Sequence, residues 1–366
     1  MNQLRRVELV PLSYRLAGSS GSEGFEVVLT HQPAIPSPLF GTRRHGVSLE
    51  VTESCMCRCI MCNVVGLFKK AFMPYLQLLR CIQECGLLGI SLINLFGGEV
   101  TLRRDLFHLI RQARWSGMNC MFITSGYYIT PSYVRRLKEV GVSRVMVSLD
   151  GSRPEIHDAI RQLPGIYRKA IRGIKALINE PSIEVYVASM VLTENLDDLV
   201  SLIRRTGRLG VRTHEFFLPV SGPASSSRPR WPSEAEINRI LDELIPAMDT
   251  EAARWGTTLD WRPEIRSWRL PRQETVSMLS SGVYNVHSQS PSCRCPAAGF
   301  NLFLAVDGSV FPCDMPGIIS SDAALGNLAD QTLLELVTSP AMQAFSSVAG
   351  QHPACRMCVG QYEAIS

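Results

Sequence analysis

Apolar residues recur along this chain in two alternating rhythms. Short, nearly continuous apolar runs at 47–51, 90–96, 119–124, 143–149, 182–190 and 211–217 predict six strands. Between them, apolar residues three and four apart predict helices over 70–85, 104–115, 131–140, 166–178 and 196–207. In the first helix Phe72, Leu76, Leu79 and Ile82 are expected to face inward; in the second, Leu106, Leu109, Ile110 and Ala113. Pro131 opens the third helix and Gly141 closes it, as helix-boundary chemistry favours. Strands alternating with helices predict an α/β fold with a parallel sheet, whose active site collects at the C-terminal ends of the strands.

The rest of the chain is less regular. Residues 1–44 are interrupted by Gly, Ser and Pro and read as a lead-in with one strand at 25–28. A Pro-, Ser- and Gly-rich stretch at 218–232 marks a boundary. Ser233 then caps a helix over 234–254, with Glu234 and Glu236 favourable near its start. Trp261, Arg262, Arg266, Trp268, Arg269 and Arg272 lie in an aperiodic stretch that reads as a surface loop or as a substrate wall. Apolar runs flanking Asp307-Gly308 predict a hairpin. The expected division is a lead-in (1–44), the main α/β domain (45–232), a connecting helix and loop (233–292) and a small domain (293–366).

Composition narrows the partners. Of 366 residues, 46% are hydrophobic and 19% charged, an ordinary soluble globular balance. The formal charge of +4 comes without a basic stripe, so no nucleic-acid partner is expected. No apolar run approaches the ~18 residues of a membrane span, and Met1 to Arg6 lead into no signal peptide, so a cytoplasmic protein is expected. Twelve cysteines in tight groups then read as metal ligands before disulfides. Cys81 and Cys85, four apart on a helix without further ligands nearby, read as buried thiols.

The densest chemistry is Cys55-Met56-Cys57-Arg58-Cys59-Ile60-Met61-Cys62. Read as C-x3-C-x2-C it supplies Cys55, Cys59 and Cys62; three thiolates on a 4Fe–4S cluster leave one iron open to another ligand. Cys57 allows a second triad. This run resembles the signature loop of the radical S-adenosylmethionine (SAM) superfamily, with Met61 where that family has an aromatic residue. Gly97-Gly98-Glu99 resembles the family's Gly-Gly-Glu motif, Thr124-Ser125-Gly126 stands in the place of a motif with Asn in the middle, and Ser148-Leu149-Asp150-Gly151 resembles a further strand end. The resemblance implies a partial (βα)6 TIM-like barrel and SAM chelated by the open iron. It places Glu99 on the SAM amino group, with Gly97, Gly98, Thr124, Ser125, Ser148, Asp150 and Met61 around the cofactor. A reductase such as flavodoxin or ferredoxin is the implied electron source.

A second thiol set comprises Cys293, Cys295, Cys313, Cys355 and Cys358. The Cys355-x2-Cys358 spacing suits structural zinc as well as an iron–sulfur cluster. Cys295-x12-Gly308-x4-Cys313 followed by Cys355-x2-Cys358 resembles the SPASM module in its shortened twitch form, because the sequence stops eight residues after Cys358. That resemblance implies one auxiliary 4Fe–4S cluster on Cys295, Cys313, Cys355 and Cys358, with Cys293 the alternative to Cys295. The implied function is reductive cleavage of SAM and hydrogen abstraction from an unactivated C–H bond of a small-molecule or peptide substrate. Two-electron oxidation of a sugar or aminocyclitol is the expectation, and maturation or epimerisation of a ribosomally made peptide is the alternative. No cysteine lies between Cys120 and Cys293 to return a hydrogen atom, which favours oxidation over epimerisation. A non-catalytic electron carrier or a zinc-stapled binding protein leaves Gly97-Gly98-Glu99 without a purpose.

Overall fold

The computed structural model describes residues 46–62, 73–217, 233–261, 293–294, 301–313, 323–349 and 363–364. The expectations for 1–44, for 218–232, for the arginines after Trp261 and for Cys295, Cys355 and Cys358 lie outside those residues, as does Phe72.

All six expected strands are present: β1 (Gly46–Thr52), β2 (Leu92–Gly97), β3 (Asn119–Thr124), β4 (Arg144–Ser148), β5 (Glu184–Met190) and β6 (Thr213–Phe217). Each pairs in parallel with the next. A seventh parallel strand, β7 (Thr258–Trp261), continues past β6, and its four residues were too few to stand out in the pattern. The main helices are α1 (Tyr75–Leu87), α2 (Leu106–Trp115), α3 (Pro131–Val140), α4 (Pro154–Arg161), α5 (Ile166–Ile178) and α6 (Leu199–Leu209). Helix α4 had no counterpart in the sequence reading. Ser233 caps α7 (Glu234–Arg239) through a reciprocal pair of bonds with Glu236, and a π turn at Ile240–Leu244 carries the helix on into α8 (Ile245–Trp255).

Strand alternation divides the sheet into two faces. Val47, Leu49 and Val51 of β1 join Ile93, Leu95 and Phe122 in the core beneath the helices. On the other face Met121, Met146 and Ala188 are buried, with Leu92, Ile123, Tyr186 and Phe217 packed beside them. Helix α1 departs from expectation in its phase. Leu78, Cys81, Ile82 and Cys85 face the core and Leu76 is 74% exposed, so the inward stripe runs through the thiols. The Cys81–Cys85 pair is thus a buried pair, as expected.

The Asp307-Gly308 hairpin is present, and it does not stand apart. Strand β8 (Cys293–Arg294) belongs to a separate pair. After it, β9 (Asn301–Leu304) and β10 (Ser309–Phe311) run antiparallel, with Gly308 at φ 89° in the turn. Strand β9 also pairs in parallel with β1, Val47 opposite Leu302 and Leu49 opposite Leu304, and β11 (Gly326–Asn327) pairs with β10. Among the described residues these strands form one ten-stranded sheet in the order β11-β10-β9-β1-β2-β3-β4-β5-β6-β7. Glu50 on β1 accepts the Val306 N–H at 3.1 Å, and burial, with Glu53 and Asp307 nearby, pushes its carboxyl up to about 7.

Helix and sheet are tied at β6 by His214, which is fully buried. Its Nε2 bonds the Ser189 hydroxyl at 2.7 Å, its Nδ1 the Thr206 hydroxyl at 3.2 Å, and its ring stacks on Phe216 at 4.4 Å. Burial pushes its pKa down to about 3, so the folded imidazole stays neutral while an unfolded one protonates below its ordinary value. The stability this contributes is complete above that ordinary value and is lost as pH falls toward 3. Denaturant unfolding should show the wild type losing about 2 kcal/mol more between pH 7 and pH 5 than His214→Gln. Parallel pH slopes for the two proteins would remove His214 from the acid response.

Candidate cofactor site

The thiol loop leaves the C-terminal end of β1 and is held at both ends. At its start, Gly98 N–H donates to Thr52 O at 2.7 Å and Glu99 N–H to Ser54 O at 2.8 Å. A Cβ on Gly97 would stand 2.1 Å from Thr52 O, and one on Gly98 would stand 2.3 Å from Ser54 O. Gly97 also sits at φ 133°. The glycine pair therefore admits the backbone of the cysteine loop itself.

The far end of the loop is gripped by α4. Arg58 N–H donates to Arg161 O at 3.2 Å, Ile60 N–H to Ile160 O at 3.0 Å, and Arg161 Nη1 reaches Cys59 Sγ at 3.7 Å. Arg161 is in turn fixed by Asp150, its Nε on Oδ2 at 2.5 Å, while Oδ1 accepts the Met190 N–H at 2.9 Å. Asp150 is wholly buried; its N–H donates to His157 Nδ1 and its carbonyl accepts from Asn195 Nδ2, both at 2.9 Å. Burial pushes His157 down to about 4, so it stays neutral beside this ion pair. Arg161, His157 and Asn195 were all missed in the sequence. The available signal was Arg161, eleven residues after Asp150 on a helix opened by Pro154.

Within the loop Cys55 is exposed, Cys57 and Cys59 are buried and Cys62 is half-buried. The Cys57 thiol bonds both Cys55 and Cys59, which lowers their pKa values, that of Cys59 to about 6 with Arg161 adding to the effect, and raises its own. Met61, Met56, Tyr127, Leu163 and Ile166 pack around these sulfurs. Among the described residues no three Cys, His, Asp or Glu side chains stand as a ready-made metal-ligand set. Cys313 is half-buried after β10.

Glu99 is buried at the end of β2 and is the hub of a polar knot. Its Oε1 accepts from Thr101 N–H at 3.3 Å, the Thr101 hydroxyl and the Thr124 hydroxyl at 2.6 Å; its Oε2 accepts from Ser125 N–H at 2.8 Å and the Ser125 hydroxyl. Thr124 and Ser125 thus converge on Glu99 from β3, and Ser148 is buried at the end of β4. The strand ends of β1 to β4 bring Cys55, Cys59, Gly97, Glu99, Thr124, Ser125, Ser148 and Asp150 to one edge of the sheet.

Four sulfurs in eight residues, two of them drawn toward thiolate and one beside a guanidinium, are a donor set that suits an iron–sulfur cluster. Parallel strands, a thiol loop after the first and a buried carboxylate after the second define a cofactor-dependent α/β enzyme with its site at the strand ends. Residues 49–206 match the Radical SAM superfamily and residues 293–359 match the SPASM iron-sulfur cluster-binding domain. The chain carries a radical SAM domain, with a SPASM iron–sulfur domain in its C-terminal part. These two domains bring SAM and two 4Fe–4S clusters.

Among curated relatives, the chain is 25% identical over 307 residues to the AdoMet-dependent heme synthase of Methanosarcina barkeri, covering 79% of this chain and 81% of that protein. It is 27% identical over 345 residues to the PqqA peptide cyclase of Ruegeria pomeroyi, covering 93% and 83%. Its fold is similar to that of Streptococcus suis SuiB bound to S-adenosylmethionine, with a TM-score of 0.64 at 14% identity over 83% of this chain and 68% of that one. No helix among the described residues is long and apolar enough to cross a membrane.

Proposed function

We propose that this enzyme uses SAM to take a hydrogen atom from an unactivated C–H bond of a peptide. The observation that carries the chemistry is the placing of the thiol loop and the buried Glu99 on adjacent parallel strand ends, joined by the Gly98 and Glu99 backbone bonds. When bound, the cluster and SAM supply one electron and a 5′-deoxyadenosyl radical. Cys55, Cys59 and Cys62 hold the cluster, with Cys57 buried between two of them. Glu99 holds the SAM ammonium group; the hydroxyls of Thr101, Thr124 and Ser125 now occupy its oxygens, and rotation of a hydroxyl frees an acceptor site. Gly97, Gly98, Ser148 and Met61 complete the surroundings of the cofactor in this reading, and Asp150 acts through Arg161. In the second domain Cys295, Cys313, Cys355 and Cys358 hold the auxiliary cluster.

The peptide reading is supported by the cyclase named for the PqqA peptide, whose likeness covers more of this chain than that of the heme synthase. Oxidation of a sugar or aminocyclitol, the first choice from sequence alone, becomes the second reading. The absence of cysteines between Cys120 and Cys293 still favours oxidation over epimerisation on either substrate. The test is anaerobic reconstitution with iron and sulfide, followed by dithionite and SAM. Methionine and 5′-deoxyadenosine are expected in equal amounts, and intact SAM beside fully loaded clusters would overturn the proposal.

A further inference from the structure

We propose that Arg161 is a positioning residue that tunes the reduction potential of the SAM-binding cluster through the Cys59 sulfur. The inference rests on the assignment of Cys59 as a cluster ligand. Three contacts run from the end of α4 to the thiol loop: two backbone bonds, at Arg161 O and Ile160 O, and the Nη1 contact to Cys59 Sγ at 3.7 Å. The backbone bonds place the loop, and the guanidinium adds charge at one chosen sulfur.

What sets Arg161 apart from an ordinary surface arginine is how fully it is held. Its side chain is 14% exposed, and that of its partner Asp150 is not exposed at all. Asp150 is itself fixed by Met190 N–H, by His157 and by Asn195, elements from β5, α4 and the turn after β5. A guanidinium anchored by such a carboxylate cannot swing away from Cys59 as a solvated one would. It also stays protonated at any working pH, so the charge it presents is fixed.

Potentials of iron–sulfur clusters respond to net charge, to hydrogen bonds on the sulfurs and to solvent exposure. A cation donating to a ligating sulfur stabilises the more negative, reduced cluster more than the oxidised one. Arg161 therefore raises the potential and makes the electron needed for SAM cleavage easier to load. The Asp150 carboxylate offsets part of that charge, and the 2.5 Å contact sits on Nε, leaving Nη1 for the sulfur.

The experiment uses the full chain, reconstituted anaerobically, with potentiometric titration followed by electron paramagnetic resonance. The SAM-binding cluster is identified as the one whose signal changes when SAM is added, and the auxiliary cluster serves as an internal reference. Arg161→Gln should shift the midpoint of the SAM-responsive signal to a more negative value while the auxiliary signal stays in place. Arg161→Lys, which keeps a cation for Asp150 and loses the Nη1 donor, should shift it the same way by less. A double variant, Asp150→Asn with Arg161→Gln, guards against a fold lost to an unpaired buried carboxylate and should still shift downward, by less than Arg161→Gln alone because the offsetting carboxylate is gone too. An unmoved midpoint in variants with full iron content would overturn the proposal, as would loss of this cluster's iron from all three variants, which would make Arg161 a brace for the loop. If the wild type shows no SAM-responsive signal at all, the cofactor assignment fails, and this inference falls with it.

Discussion

Replacing Cys55, Cys59 and Cys62 together by Ala is expected to remove about half of the iron and all formation of 5′-deoxyadenosine, because the proposal puts one of the two cubanes on each of two separated thiol sets. The structure sharpens this into a test of which thiols ligate. Cys57 is buried between Cys55 and Cys59 and shares its hydrogen with both, whereas Cys55 is exposed. On the C-x3-C-x2-C assignment, Cys57→Ala should keep its iron and Cys55→Ala should lose it. Iron counts per chain decide: if Cys57→Ala loses as much as Cys55→Ala, the ligand set includes Cys57. If the triple variant keeps its full iron, the loop holds no cluster.

The second large effect is expected at Glu99. Its carboxylate ties Thr101 to Thr124 at the end of β3 and to Ser125 just beyond it, so Glu99→Ala leaves several buried donors without acceptors at about 1–3 kcal/mol each. The alanine variant should thus lose SAM affinity, as its motif implies, and also thermal stability, which sequence alone does not suggest. Glu99→Gln keeps the volume and one acceptor oxygen and separates the two roles. It should bind SAM roughly 10–100-fold more weakly, the worth of a charge-assisted bond to an ammonium group. SAM titration at matched iron content provides the readout, and wild-type affinity in Glu99→Gln would take the carboxylate out of the binding site.

The sequence was most informative where local periodicity and long-range packing agree. The strands that end in Gly97 and Thr124, and the helix closed by Gly141, could be placed because each is long, apolar on the right face and punctuated. Helix α1 shows the limit of the method. A three-residue step from Leu76 to Leu79 to Ile82 drifts around a helix, and the true stripe uses Cys81 and Cys85 as core residues. Arg161 could not have been placed from its neighbours. Its meaning depends on a contact to Cys59 across 102 residues, which exists only once α4 has docked on the thiol loop. The Gly97-Gly98 pair stands out in the sequence for close backbone approach, and the close approach seen is that of the cysteine loop.

Strand β1 has one more consequence, in the order in which the protein is made. It carries the thiol loop and lies in the interior of the finished sheet, yet one of its neighbours is β9, and Val306, which closes onto Glu50, comes 256 residues later. On the ribosome, β1 can pair with β2 early, while its other edge waits open until β9 has been made. That edge carries the unpaired backbone groups of Gly46 to Leu49, the partners of Asn301 to Leu304. A nascent or truncated chain lacking β9 therefore presents an adhesive strand next to the four thiols of the loop, and a segment made much later is what shields it.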